Sequence, residues 1–351
     1  MQVSQKQIAD ALNLSIITVS RALRDHPDLA ADTKVRILQK ARELGYTKPL
    51  PRVAGGGGSA FGGASPLGAG LAGGNGEGQP RRVGILLYEN EGGHGAQQVD
   101  LLKSDVRRSI FLALQKECQR HEVETLIEMP SLASPPLLVK NRTVGGVFLF
   151  GRYTPEAIRL LGDTPALAVS SFIECEGLPR IVADNARGMR EATELLIGLG
   201  HRKILFVGNA ESRTQLFRER ADGYVAAMHR AGLASEVRFL EPGEVLPEEE
   251  IRRFTALACA SDAQAYTIQD RLLAWGWKLP EECSMVAFDN LVASDHSLKV
   301  TTYAPDWDLM GRLAAGLLLS RPLDLQGKDV VVTVPGKLIV RGSTMAANQK
   351  D

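Results

Sequence analysis

Apolar residues recur at helical spacing through the first fifty positions. In Gln5–Leu12, QKQIADAL, the residues Ile8, Ala9 and Leu12 fall on one face, which predicts a short amphipathic helix. Asn13-Leu14-Ser15 reads as a tight turn, with Ser15 suited to accept a backbone N–H at the start of the next helix. That helix is Ile16–Leu23, IITVSRAL: Val19, Ala22 and Leu23 face inward, leaving Ile17, Thr18 and Arg21 on an outer stripe. A third helix is predicted over 32–44 from the spacing of Val35, Leu38, Ala41 and Arg42, ending at Gly45.

The pattern then stops. Twelve of the 26 residues at 54–79 are glycine, too little apolar surface to offset the backbone entropy of folding, so a flexible tether is expected. The segment contains a formal G-x-G-x-x-G at 68–73. A dinucleotide site needs a strand before that motif and a helix after it, and the sequence predicts neither. From 81 onward the period switches repeatedly between two and 3.6. Strand-like runs lie at 83–88, 123–129, 144–150, 166–172, 203–209, 284–290 and 330–335. Helix-like stretches lie at 105–120, 155–161, 187–199, 219–231 and 263–275, with Ala192, Leu195, Leu196 and Leu199 as one stripe. This alternation predicts parallel sheets covered on both faces. More than 250 residues of it exceed one compact sheet, so two α/β lobes are expected, with ligands outside the carboxyl ends of the strands.

Composition is that of an ordinary globular chain, 44% apolar and 23% charged among 351 residues, with no apolar run long enough to span a membrane. The first residues lack the apolar core of a signal peptide, which predicts a cytoplasmic protein. Cys118, Cys175, Cys259 and Cys283 lack C-x-x-C spacing, so isolated thiols in a reducing compartment are expected, and no metal or cofactor is called for. Net charge is zero, but residues 1–53 carry nine basic and five acidic side chains, a +4 head on a −4 body. That asymmetry suits contact with nucleic acid through the head alone.

Helices over 5–12 and 16–23 joined by a short turn form a helix-turn-helix pattern, in which the second helix enters the major groove of DNA. Arg21 can donate a bidentate pair to guanine, Ile16 and Ile17 can meet thymine methyls, and Ser4, Gln5, Ser15, Thr18 and Ser20 carry short polar groups suited to phosphates. A three-helix bundle serving protein contacts would show the same pattern.

The segment IADALNLSIITVSRALRDHPDLAADTKVRILQKARELGY resembles the headpiece of the lactose-repressor/galactose-repressor (LacI/GalR) family of transcriptional regulators. So do DNARGMREATELLIGLGHRKILFVG, RERADGYVAAMHRAGL, ACASDAQAYTIQDRLLAWGWKLPEECSMVAFDN and LIVRGST in the body. The resemblance covers 2–46 and most of 81–344. It implies an all-α helix-turn-helix headpiece at 1–50, a glycine-rich linker at 51–80, and a periplasmic-binding-protein-like α/β domain of two parallel-sheet lobes at 81–345, joined by three crossovers. The lobe boundaries expected are 81–172 with 291–320, and 173–290 with 321–345. It further implies a homodimer, double-stranded operator DNA as partner, and a small-molecule effector of carbohydrate type between the lobes, with no cofactor. By motif, Arg220 in RERADGY and Asp262 in CASDAQA match effector-gripping residues, opposite charges placed across a cleft. Asp289 in AFDN matches another such aspartate or an interlobe structural one, while Asp184 in VADN and His201 in LGHRK read as structural.

Three stretches depart from the family pattern. Pro49, Pro51 and the following glycines oppose the hinge helix that normally follows the headpiece. The loop after the first strand is longer than usual and lacks an Asn-Pro-Phe type sequence, leaving Tyr88, His94, Ser104, Asp105 and Arg108 as candidate replacements for effector contacts. Ile16 and Ile17 stand where many relatives have polar base-reading residues. The reading is therefore an effector-controlled transcriptional repressor. The alternative is a ligand sensor whose coupling to DNA is weak or absent. An enzyme is disfavoured, since no G-x-S-x-G, H-E-x-x-H or phosphate loop occurs, and Asp262 and Asp289, which could be imagined as glycosidase carboxylates, fall at strand ends that the resemblance assigns to ligand binding.

Overall fold

The computed structural model describes residues 4–12, 14–23, Thr33, Arg36, Ile37, Lys40, Ala41 and Leu44, and then 81–88, 105–170, 175–209, 215–241, 243–291, 296–320 and 327–347. The linker, the loop bearing His94 and Ser104, the side chain of Arg21, and Val35, Leu38 and Arg42 lie outside the described residues. The chain divides into two compact units, 1–65 and 66–351.

In the first unit, α1 (Gln5–Leu12) and α2 (Ile16–Leu23) form as the periodicity predicts. Ile8, Ala9, Val19, Ala22 and Leu23 are buried together, and Leu12 packs against them. Helical residues Ile37 and Ala41 complete this core; Ala41 was expected there, Ile37 was not. Each helix start is capped. Ser4 and Gln7 satisfy one another's backbone N–H groups at 3.3 and 2.8 Å, a reciprocal capping box, and Thr18 N donates to Ser15 Oγ at 3.0 Å.

The second unit contains two six-stranded sheets. The first comprises β1 (Arg81–Tyr88), β2 (Val123–Glu128), β3 (Val147–Gly151), β4 (Ala166–Val169), β5 (Arg180–Ala183) and β11 (Val331–Val334), in the order β11-β5-β4-β3-β1-β2, all parallel. The second comprises β6 (Ile204–Asn209), β7 (Glu236–Leu240), β8 (Ala256–Cys259), β9 (Ser284–Phe288), β10 (Thr301–Pro305) and β12 (Gly336–Ile339), in the order β12-β10-β9-β8-β6-β7. Only its edge strand β12 runs antiparallel, so this lobe is not purely parallel as expected.

In the first lobe, α3 (Asp105–Arg120) packs along α10 (Trp307–Ser320), and the short α4 (Leu137–Lys140) and α5 (Pro155–Arg159) complete it. In the second, α6 (Asn185–Gly198) packs along α7 (Gln215–Arg230), with α8 (Glu248–Ile251) and α9 (Asp262–Ala274) over the other sheet face. Met189, Ala192 and Leu196 put α6 into the core, the stripe read from the sequence shifted by one turn.

The expected lobe boundaries need correction. β5, assigned to the second lobe, pairs with β4 in the first; β10, assigned to the first, pairs with β9 in the second; and β11 joins β5 in the first. The described chain passes between lobes at Asp184, Asp306 and Pro335. Strand partners rather than sequence blocks decide membership, and these crossovers are tied together: Asp184 N donates to Val334 O at 3.0 Å and Asp306 N to Pro335 O at 3.2 Å.

Candidate functional site

Polar side chains converge where β8 and β9 end and α6 and α9 begin. Arg220, midway along α7, is buried. Its Nε donates to Asn185 Oδ1 at 3.0 Å, its Nη1 to Ala260 O at 2.7 Å, and its Nη2 meets Asp289 Oδ1 at 3.1 Å. The guanidinium lies 3.7 Å from the Phe288 ring centroid and 5.0 Å from that of Phe217, an apolar clamp that fixes its plane. Asn185 is itself oriented, donating through Nδ2 to Glu219 Oε2 at 2.9 Å. A guanidinium has five N–H donors; these contacts use three, which leaves capacity for a bound acceptor.

Asp289 has φ +114° and Asn290 φ +61°, a backbone region that non-glycine residues adopt at a cost of about 1–3 kcal/mol each. Surrounding bonds hold the strained turn. Asp289 N donates to Tyr303 O at 3.0 Å, Trp307 Nε1 donates to Asp289 O at 2.9 Å, and Arg341 Nη2 donates to Asn290 Oδ1 at 2.5 Å. The Asp289 side chain retains 15% exposure against 5% for Arg220. It is the more open end of a buried ion pair. Burial pushes its carboxyl up, and Arg220 pulls it back.

Asp262 is fully buried. Its Oδ1 accepts from Thr302 Oγ1 and its Oδ2 from Leu291 N, both at 2.6 Å. Burial, then the neighbouring Asp289 charge, push its pKa to about 7. The expectation of opposite charges across a cleft is corrected here: Arg220, Asp262 and Asp289 all stand on the second lobe, because α7, α9 and β9 share one sheet. Asp262 reaches the cluster through its charge and through the turn that carries Asp289.

Tyr88 and Asp105 belong to the first lobe. Tyr88 is buried with its ring 5.8 Å from that of Tyr153, and its hydroxyl has no partner among the described residues. Burial and the charge of Glu128 raise its pKa to about 12. Asp105 opens α3 and pairs with Arg108 one turn on. Neither contacts the Arg220 cluster. Asp184 caps α6 by accepting from Arg187 N at 3.3 Å. His201 is buried between Thr255 Oγ1 at 2.9 Å and Met345 O at 3.1 Å, a structural placement. Asn185, Phe217, Phe288 and Thr302 were missed. Asn185 sits beside Asp184 in VADN and Phe288 beside Asp289 in AFDN, so the motifs pointed to the neighbourhood but not to these residues.

In the first unit, Ile16 and Ile17 are 47% and 67% exposed while the rest of the α2 apolar set is buried. Two large aliphatic side chains therefore stand on the outer start of the helix. Ser4 and Ser15 use their hydroxyls to cap helices, Thr18 Oγ1 lies 2.8 Å from Ser15 Oγ, and Gln5 and Ser20 are half-buried. All four cysteines are buried, free thiols, raised in pKa by burial. Among the described residues no group of three or more His, Cys, Asp or Glu could hold a metal, and no helix is long and apolar enough to cross a membrane.

Residues 193–344 match the periplasmic binding protein-like domain model. Over nearly the whole length the chain is similar to the HTH-type transcriptional regulator RegA of Clostridium saccharobutylicum, 27% identical with 98% of this chain and 100% of the relative covered. It is likewise similar to the HTH-type transcriptional repressor CytR of Escherichia coli (strain K12), 24% identical, covering 98% and 96%. Both relatives are named as HTH-type transcriptional regulators, in line with the resemblance to the LacI/GalR family that the motifs carry. Solved structures share the fold. The lac repressor dimer bound to operator and the anti-inducer ONPF has a TM-score of 0.58 at 20% identity, covering 99% of this chain and 100% of that one. The transcriptional regulator CelR–cellobiose complex has a TM-score of 0.61 at 20% identity, covering 98% and 100%. These relatives are regulators rather than enzymes.

Proposed function

We propose that this protein is a cytoplasmic transcriptional repressor of the LacI/GalR type that binds a pseudo-palindromic operator as a homodimer through α2, under control of a small hydroxylated effector held between its lobes. The observation that carries the effector reading is the buried Arg220–Asp289 pair at the carboxyl ends of the second sheet, with spare guanidinium donors beside a partly open carboxylate. Donors and an acceptor side by side suit vicinal hydroxyls, the chemistry of a carbohydrate. Cellobiose in the CelR complex supports that class. In the head, exposed Ile16 and Ile17 favour thymine methyls over polar base edges.

An effector changes operator affinity only by its unequal affinity for two states of the protein. The test is operator binding by fluorescence anisotropy, with and without a sugar selected by thermal shift. The expected result is a change of about fivefold or more in operator affinity on adding sugar, within the usual range of allosteric coupling. Arg21→Ala should lose base preference and keep the thermal shift. Equal operator affinity in both states would leave a DNA-binding sensor without coupling, the outcome that Pro49, Pro51 and the glycine-rich linker favour.

A further inference from the structure

A cavity of about 360 Å³ runs along α9, and none of Arg220, Asp262 and Asp289 is among its lining residues. We infer that it is a second small-molecule site, which takes an organic monocarboxylate bearing an apolar ring. Its volume falls within the range of small-ligand pockets, about 300–1,000 Å³.

The floor is apolar and already ordered. Leu240, Leu246, Ile251 and Ile268 line it and are buried in the core beneath α9. A ring laid there would meet side chains whose entropy is already lost on folding. The rim is rich in donors. Arg271 and Trp275 lie one helical turn apart and both line the cavity. Among the described residues the Arg271 guanidinium has no ion-pair or hydrogen-bond partner, and the Trp275 indole, 36% exposed, donates to none. At the other end Gln264 Nε2 donates to Asn209 Oδ1 at 2.9 Å, a bond that leaves the Asn209 amide nitrogen unused as a donor, and both residues line the cavity.

The one carboxylate in the lining, Glu244, is already engaged. Arg238 Nη2 donates to its Oε1 at 2.8 Å and Glu241 N to its Oε2 at 2.7 Å. It therefore does not answer Arg271. A planar carboxylate does, by two parallel N–H···O bonds. The sheet order supports the location: β6 has β7 on one side and β8 on the other, so the chain reverses direction across the sheet at β6, where Asn209 and Ser261 line the cavity. The cavity also shares α9 with Asp262, which anchors Leu291 and Thr302 beside the strained Asp289 turn. Occupancy of the groove would bear on the effector pair through that helix.

The test titrates the full-length protein with 3-phenylpropionate, reading tryptophan fluorescence, with 3-phenylpropanol as the uncharged isostere. Saturable binding of the acid is expected, about tenfold weaker for the alcohol and for Arg271→Gln, a loss of about 1.4 kcal/mol. Thr267→Trp, at an exposed helix position lining the cavity, should block binding while circular dichroism stays unchanged. Binding should persist in the presence of a saturating sugar effector, which separates this site from the interlobe one. No saturable binding of the acid up to about 10 mM, equal binding by Arg271→Gln, or displacement by the sugar in simple competition would each overturn the assignment.

Discussion

Arg220 and Asp289 are coupled in both stability and ligand binding. Removing the carboxylate strands a buried guanidinium, and such a loss costs about 3–5 kcal/mol. Asp289→Ala is therefore expected to lower unfolding free energy by about that amount in urea titration, and Asp289→Asn by less, because the amide oxygen can still accept from Nη2. Equal, small losses would mean that the pair is not buried in solution. Asp262 has the opposite sign from an ordinary salt-bridged aspartate. Its folded pKa, near 7, lies above that of the unfolded chain, so the folded state binds the proton more tightly. Its contribution to stability is fully present below about pH 4 and is lost as pH rises through about 7. Relative to Asp262→Asn, the wild type should lose roughly 2–4 kcal/mol of stability between those pH values. A pH-independent difference between the two proteins would refute the shifted carboxyl.

At the scale of elements, α6 and α7 approach closely because Gly223 has no side chain. A Cβ there would sit 2.1 Å from Ala186 O, backbone that cannot move aside without shifting α6. Gly223→Ala should cost about 1–3 kcal/mol or more in chemical denaturation, and should weaken effector binding as well, since Asn185 and Arg220 ride on the two helices. Five of the helices of the second unit were legible in the sequence, where 105–120 matches α3 and 263–275 falls within one residue of α9 at either end, while α10 and the short α4 and α8 were not. Nor were five strands. RIVA, EVRFL, ALAC, TTYAP and GKLI are four or five residues long, too short for periodicity to distinguish a buried strand from a loop. They exist because neighbouring strands supply their hydrogen bonds.

At the scale of the molecule, charge is segregated: a basic head precedes an acidic body, while Arg220 and Asp262 are buried in the second lobe. Operator binding should therefore weaken steeply with salt as phosphate counterions are released. Effector affinity should change by less than about twofold over the same range, since buried pairs are screened little. Parallel titrations of both ligands from about 50 to 200 mM salt measure this. A shared steep slope would place the effector at an exposed charged surface instead.

Local pattern by itself determined the helix-turn-helix of the head, the α/β alternation of the body and the motifs around Arg220, Asp262 and Asp289, because each is encoded over a few consecutive residues. Only the tertiary structure decided which strands belong to which lobe. It moved β5 and β11 into the first sheet and β10 into the second, since membership depends on which strands pair, Val331 with Arg180 in one case and Thr301 with Val286 in another, and no local pattern records that choice. It likewise put Arg220, Asp262 and Asp289 on one lobe, left Asp105 on the other, and turned Asp262 inward onto Thr302 and Leu291. Side-chain direction at a strand end is set by what packs across it, and no spacing along the chain records that.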